Sequence, residues 1–177
     1  NQAVCDALEL IVDHYEKGGA IAGIETGFKE FDELIGGLQR SDLIIIAGRP
    51  SMGKTSFAIN IVENVSIKAG ASVLVFSMEM SARQIAMRMI SSIGRINQNS
   101  IRSGQIKDDE WPRLTWAVGQ IAEANIFIDD QAGLSPREVR AKSRRVMREN
   151  GLDLIVIDYL QLMQVHEKSE NRATERS

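Results

Sequence analysis

Eight consecutive residues, Gly48-Arg49-Pro50-Ser51-Met52-Gly53-Lys54-Thr55, set two glycines, a lysine and a threonine at the spacing G-x-x-x-x-G-K-[ST]. This spacing suits a polyphosphate. Gly48 and Gly53 let the chain curl so that successive backbone N–H groups point inward at phosphate oxygens. A helix starting directly afterwards adds the positive end of its dipole. Lys54 then carries charge to the β- and γ-phosphates, and the Thr55 hydroxyl is a ligand for Mg²⁺. The nucleotide-binding set is Gly48, Arg49, Pro50, Ser51, Met52, Gly53, Lys54, Thr55 and Ser56. A chance glycine-rich turn is the competing reading. Against it stand an apolar run at 43–47, read as a strand, and a helical pattern over about 55–68. The guanine-reading signature Asn-Lys-x-Asp is absent from the sequence, which favours ATP over GTP.

Mg²⁺ needs a carboxylate from a neighbouring strand. Two apolar runs end in acids: 154–157 is followed by Asp158, and 126–128 by Asp129 and Asp130. The first run is longer and wholly aliphatic, as in a central strand, so Asp158 is assigned and Asp129 is its rival. Tyr159, not a glutamate, follows Asp158. The group that orients the attacking water must then come from another strand end, and Glu79, three residues beyond the run 73–76, is placed for it. As a helix-capping acid Glu79 would be redundant, because Ser81 supplies that cap.

Other residues carry weaker signals. Arg137, Arg140, Lys142, Arg144, Arg145 and Arg148 share one predicted helix, which reads first as a solvated face and second as a phosphate or subunit contact. Trp111 and Trp116 are expected to pack rather than to stack on bases. His14 and His166 have no partners at metal-ligand spacing.

The elements that must position these residues follow from hydrophobic patterning. The runs 43–47, 73–76, 126–128 and 154–157 are short and unbroken, as in strands buried on both faces, and hence parallel strands covered by helices. Helical patterns intervene near 82–93 and 109–123, and a further helix opens at Ser135-Pro136. Residues 1–17 read as an amphipathic helix with Val4, Ala7, Leu8, Ile11, Val12 and Tyr15 on one side, stopped by Gly18-Gly19. The stretch 24–38 reads as a turn-and-helix lead-in, and 164–177 as a polar tail, mobile or truncated. The fold class is thus α/β, with a mostly parallel sheet covered by helices. Its 177 residues, 44% hydrophobic and 25% charged, suit one domain with a real core. The apolar runs fall far short of the roughly 18 residues of a membrane span. A single cysteine, Cys5, excludes an internal disulfide framework and suits a cytoplasmic location. A net charge of −3 leaves nucleic-acid binding to local patches.

These residues resemble the hexameric replicative DNA helicases of the DnaB type, built on a RecA-like ATPase core. The likeness is carried by Thr26-Gly27-Phe28 with Asp32 and Gly36-Gly37-Leu38, by the Arg49-Pro50-Ser51-Met52 variant of the phosphate loop, by Phe76-Ser77-Met78-Glu79-Met80, by Ile128-Asp129-Asp130, and by Ile157-Asp158-Tyr159-Leu160-Gln161-Leu162-Met163. It implies a linker helix and hinge over 1–19 and a partial RecA-like core over 20–177. It implies Glu79 as the catalytic carboxylate, Asp158 in the Mg²⁺ shell, and Arg88 reaching the nucleotide phosphates, where the residue pattern alone suggests a solvated arginine. It also implies ATP and Mg²⁺ as cofactors, a homo-hexamer whose linker helix lies on the adjacent subunit, single-stranded DNA as the track, and primase and a helicase loader as partners. Relatives continue with further strands, a γ-phosphate-sensing glutamine, DNA-gripping loops and an arginine finger. This chain is therefore expected to hold most of one nucleotide pocket without a complete DNA grip, and to turn ATP over weakly by itself. A RecA-like recombination or repair ATPase and a nucleotide-gated assembly module are the alternatives.

Overall fold

The computed structural model describes residues 21–49 and 51–163, with Val4, Cys5, Leu8, Glu9 and Val12 from the N-terminal stretch. Those five are helical and exposed; the rest of the amphipathic pattern, the 164–177 tail and Pro50 lie outside the described residues. The ordered elements are α1 (Lys29–Ile35), α2 (Lys54–Glu63) continued by a π-helical turn (Asn64–Lys68), β1 (Val73–Ser77), α3 (Ala82–Gly94), α4 (Gln98–Ser103), α5 (Trp111–Glu123), β2 (Ile126–Asp129), α6 (Pro136–Asn150), β3 (Leu154–Asp158) and a 3₁₀ turn (Leu160–Leu162).

The strands form a parallel sheet in the order β2-β1-β3. β1 is central and every residue in it is buried, whereas β3, whose aliphatic run reads as a central strand, lies at the edge of the described sheet with Ile155 43% exposed because it pairs on one side only. Its side chains alternate between two cores. Val73 and Val75 join Ile59, Val62, Ile85 and Met89 under α2 and α3, whereas Leu74 and Phe76 join Leu134 and Val139 under α6. Burial on both faces explains the unbroken apolar run. Parallel pairing brings the carboxyl ends of all three strands to one edge, with Ser77 in register with Asp158 and Phe76 with Asp129.

The expected strand at 43–47 is not formed. Leu43, Ile44, Ile45 and Ile46 are 83, 43, 68 and 41% exposed and join no ladder. An apolar, β-branched run is a strand only when it pairs with a neighbour. The helical pattern at 55–68 is likewise divided, its last turn being π-helical rather than α. Trp111 and Trp116, expected to pack, are 52 and 56% exposed. The buried side of α5 passes instead through Ala117 and Ile121, leaving both tryptophans off that side.

The lead-in is tied down by a buried acid. Asp32 Oδ1 accepts from Thr26 N (2.8 Å) and Thr26 Oγ1 (2.7 Å), and Oδ2 accepts from Gly27 N (3.0 Å). Asn64 Nδ2 donates to Thr26 O (2.9 Å), joining the knot to the end of α2. Gly27, at φ +84°, has no room for a Cβ, which would stand 2.4 Å from Asn64 Nδ2. The Thr-Gly and Asp of the sequence pattern thus have a structural task.

Candidate nucleotide site

The residues of the phosphate-loop pattern sit where a loop meets a helix. Gly53 caps α2 at φ +83°, a left-handed conformation that glycine adopts without strain, and Ser51 is at φ 64°. Met52 N donates to Arg49 O, closing a tight turn. Gly48 backs onto the Lys54 side chain, so that a Cβ there would lie 3.4 Å from Lys54 Cγ. Arg49, Ser51, Met52 and Ser56 are exposed, and Lys54 and Thr55 are half-buried. No side chain caps α2, so its first N–H groups keep their capacity for an anion.

The two candidate metal ligands meet. Thr55 Oγ1 donates to Asp158 Oδ2 at 2.8 Å, across 103 residues of sequence. The Asp158 backbone carbonyl accepts from Met78 N at 2.9 Å, fixing the strand end beside the start of the 78–80 turn. The rival, Asp129, is engaged elsewhere: Lys142 Nζ bonds its Oδ2, and Gln131 N donates to its Oδ1. Asp130 Oδ2 accepts from Ala82 N (2.8 Å), capping α3 from just beyond the end of β2. The adjacent acids are thereby structural, and their run is one of pairing and capping.

Glu79 lies exposed in the turn after β1, two residues beyond Ser77 and on the same sheet edge as Asp158. Ser81 does cap α3, with a full capping box to Gln84, so capping leaves Glu79 uncommitted. Arg88 is not a solvated arginine. It is half-buried on α3, its Nη1 donates to Ser56 Oγ at 3.2 Å, and its Nε is buried with no partner among the described residues. A buried donor without an acceptor is costly, and an incoming anion would relieve that cost. On α6, Lys142 is neutralised by Asp129 and Arg145 pairs with Glu149, while Arg137, Arg140, Arg144 and Arg148 are exposed.

Three features escaped the sequence reading. Tyr159 places its ring 5.8 Å from Lys54 Nζ, within cation–π range. Ser56 bonds Arg88 instead of merely extending the loop. Glu63, on the core side of α2, is only 8% exposed. Its Oε2 accepts from Ser92 Oγ (2.8 Å) and its Oε1 is buried without a partner. Burial raises this carboxyl to about 7, with the Ser92 hydrogen bond pulling the other way.

Comparison with known proteins bears on this geometry. Residues 23–177 match the family described as DnaB-like helicase C terminal domain. The chain is 47% identical over 173 residues to the replicative DNA helicase DnaB of Geobacillus stearothermophilus, covering 97% of this chain and 37% of that protein. It is 46% identical over 181 residues to the replicative DNA helicase DnaC of Bacillus subtilis (strain 168), covering 99% of this chain and 40% of that protein. A solved DnaB-like replicative helicase, described with its interactions with primase, superposes at a TM-score of 0.83 with 34% identity, over 94% of this chain and 41% of the other. The chain thus spans about two fifths of the curated relatives it matches.

Proposed function

This chain belongs to the DnaB-like helicase C-terminal domain family, and on that premise we propose that it carries the nucleotide pocket of an ATP-driven replicative DNA helicase. The observation that supports this most is the 2.8 Å hydrogen bond from Thr55 Oγ1 to Asp158 Oδ2 at the mouth of the phosphate loop. A hydroxyl and a carboxylate at that separation are hard oxygen donors suited to Mg²⁺, directly or through its waters. Thr55 and Asp158 would hold the ion, which when bound neutralises charge on the β- and γ-phosphates.

The chain's own residues divide the remaining work. The backbone N–H groups of the loop and the uncapped start of α2 bind phosphate oxygens, and Lys54 leaves the Tyr159 ring to meet them. Glu79, free of capping duty at the strand edge, orients the attacking water and accepts its proton. Arg88 supplies its unpaired Nε–H to phosphate charge that develops as the bond breaks. The wider assembly belongs to the same proposal: a homo-hexamer in the cytoplasm, single-stranded DNA as the track, and primase and a loader as partners. The exposed, helical Val4, Leu8 and Val12 offer an apolar stripe of the kind that lies on an adjacent subunit. Among the described residues no helix is long and apolar enough to cross a membrane.

Replacing Lys54 by Ala in the complete helicase tests the reading. Loss of ATP hydrolysis and of forked-DNA unwinding is expected; unwinding that survives the substitution overturns it.

A further inference from the structure

The helix that carries Arg88 rests on α2 through a row of polar contacts as well as through the core. Ile85 and Met89 anchor α3 among Ile59 and Val62. Beside them Arg88 Nη1 donates to Ser56 Oγ, and one turn further on Ser92 Oγ lies 2.8 Å from Glu63 Oε2 and 3.5 Å from Asn60 Oδ1. Both partners advance along their helices together, so α2 and α3 run side by side in the same direction, and the row holds α3 at two successive turns.

The first of these holds is weak. At 3.2 Å, with a neutral acceptor on an exposed serine, it fixes the guanidinium poorly by itself. The second is set deeper, because Glu63 is buried. We propose that Glu63, acting through Ser92, is a positioning residue that keeps Arg88 aimed across the first turn of α2 at the phosphate loop. The inference rests on the nucleotide reading of Arg88 given above.

Hydrogen-bond arithmetic says in which form Glu63 does this. A serine hydroxyl has one proton to give. With Glu63 ionised, Ser92 gives that proton to the carboxylate and Asn60 Oδ1 receives nothing from it. With Glu63 neutral, its own O–H donates to Ser92 Oγ, and Ser92 is free to donate to Asn60. The neutral form therefore lets the hydrogen bonds run from Glu63 through Ser92 to Asn60, whereas the ionised form leaves Asn60 Oδ1 to solvent beside the exposed Ser92 and a charge on the buried Glu63. The charged groups on the elements packed against α2 are Arg83 and Arg88 on α3, Lys68 in the π-helical turn, Asp158 on β3, and Lys29, Glu30, Asp32 and Glu33 on α1, which meets α2 through Phe31 and Phe57; among the described residues none of them forms an ion pair with Glu63. Burial without a counter-ion is what pushes the carboxyl up to about 7.

The test measures steady-state ATP hydrolysis by the complete helicase from pH 6 to 8.5 for the parent, Glu63→Gln, Glu63→Ala, Arg88→Ala and the Glu63→Ala/Arg88→Ala double variant, with thermal melts of each. Glu63→Ala is expected to lower kcat about fivefold to tenfold while KM stays within about twofold, the size of effect a misaimed group produces. Glu63→Gln, neutral at every pH, is expected to hold kcat within about twofold and to remove the decline expected of the parent above pH 7. On the Arg88→Ala background Glu63→Ala should cost nothing more, because its effect passes through that guanidinium. Equal damage from Gln and Ala, or losses that multiply in the double variant, would overturn the proposal. If Glu63→Ala does not fold, Ser92→Ala takes its place under the same criteria. Full hydrolysis by Lys54→Ala would instead overturn the nucleotide reading, so the two failures are distinguishable.

Discussion

Two buried acids, one on α2 and one packed beside it, are treated in opposite ways. Asp32, 2% exposed, accepts three hydrogen bonds from Thr26 and Gly27, and Asn64 ties the same knot to the end of the helix. Glu63, 8% exposed, has one serine donor and an oxygen with none, and the nearby Arg88 has a buried Nε with no acceptor. The first cluster spends its hydrogen-bonding capacity on fixing the chain. The second holds some in reserve. Full satisfaction rigidifies a polar cluster, whereas partial satisfaction leaves alternatives close in energy. The difference follows the division of labour between them: the knot lies at the amino end of the sheet, where nothing needs to change, and the row between α2 and α3 leads to the phosphate loop.

The largest effect that would break this comparison is expected at Asp32. Asp32→Ala strands the Thr26 and Gly27 N–H groups in a buried site, at a cost of about 3 kcal/mol, or a fall in Tm of about 9 °C by circular dichroism. Asp32→Asn should recover only part of that, since its amide nitrogen would face the Gly27 N–H, a donor against a donor. A loss below about 1 kcal/mol for Asp32→Ala would mean that the knot is not what holds the lead-in.

Glu63→Gln is expected to act in the other direction. The Glu63 carboxyl ordinarily titrates at 4.5 and in the folded chain at about 7. Between those values the folded state holds a proton that the unfolded state has released, so stability falls as pH rises through that window and is level above it. At pH 8 the parent carries the whole penalty, about 2 kcal/mol after allowance for solvent at the Ser92 rim. Glu63→Gln should therefore melt about 6 °C above the parent at pH 8 and level with it at pH 4.5. Equal melting of the two at both pH values would show that Glu63 is ionised without cost and that the two acids are alike after all.

How far the sequence reveals this arrangement depends on what each residue answers to. The three paired strands and the capped starts of α3 and α6 follow local rules of spacing, burial and capping, and they stand where those rules put them. The aliphatic run before Asp158 suggested a central strand, whereas among the described strands β3 lies at the sheet edge with Ile155 43% exposed, and what separates the two acids is their partners, Thr55 for Asp158 and Lys142 for Asp129. The run 43–47 misleads because pairing is a property of two segments and only one of them is in the pattern. Arg88 and Glu63 are illegible for a related reason. Each lies beside an apolar stripe, and whether it turns outward or lies along the neighbouring helix is decided by Ser56 and Ser92, which no periodicity links to them.

The smallest effect sharpens the comparison most. Ser56→Ala removes the hydroxyl that accepts from Arg88 Nη1. If the row between α2 and α3 were a knot like that of Asp32, the substitution would leave a buried charge unpaired and cost several kcal/mol. The contact is instead long and lies at the exposed end of the row, so the freed N–H groups can turn to water. A loss of about 0.5 kcal/mol, or a shift in Tm of 1 to 2 °C, is expected. A drop as deep as that of Asp32→Ala would place Arg88 among the fixed elements of the fold and remove the reserve capacity that its unpaired Nε provides.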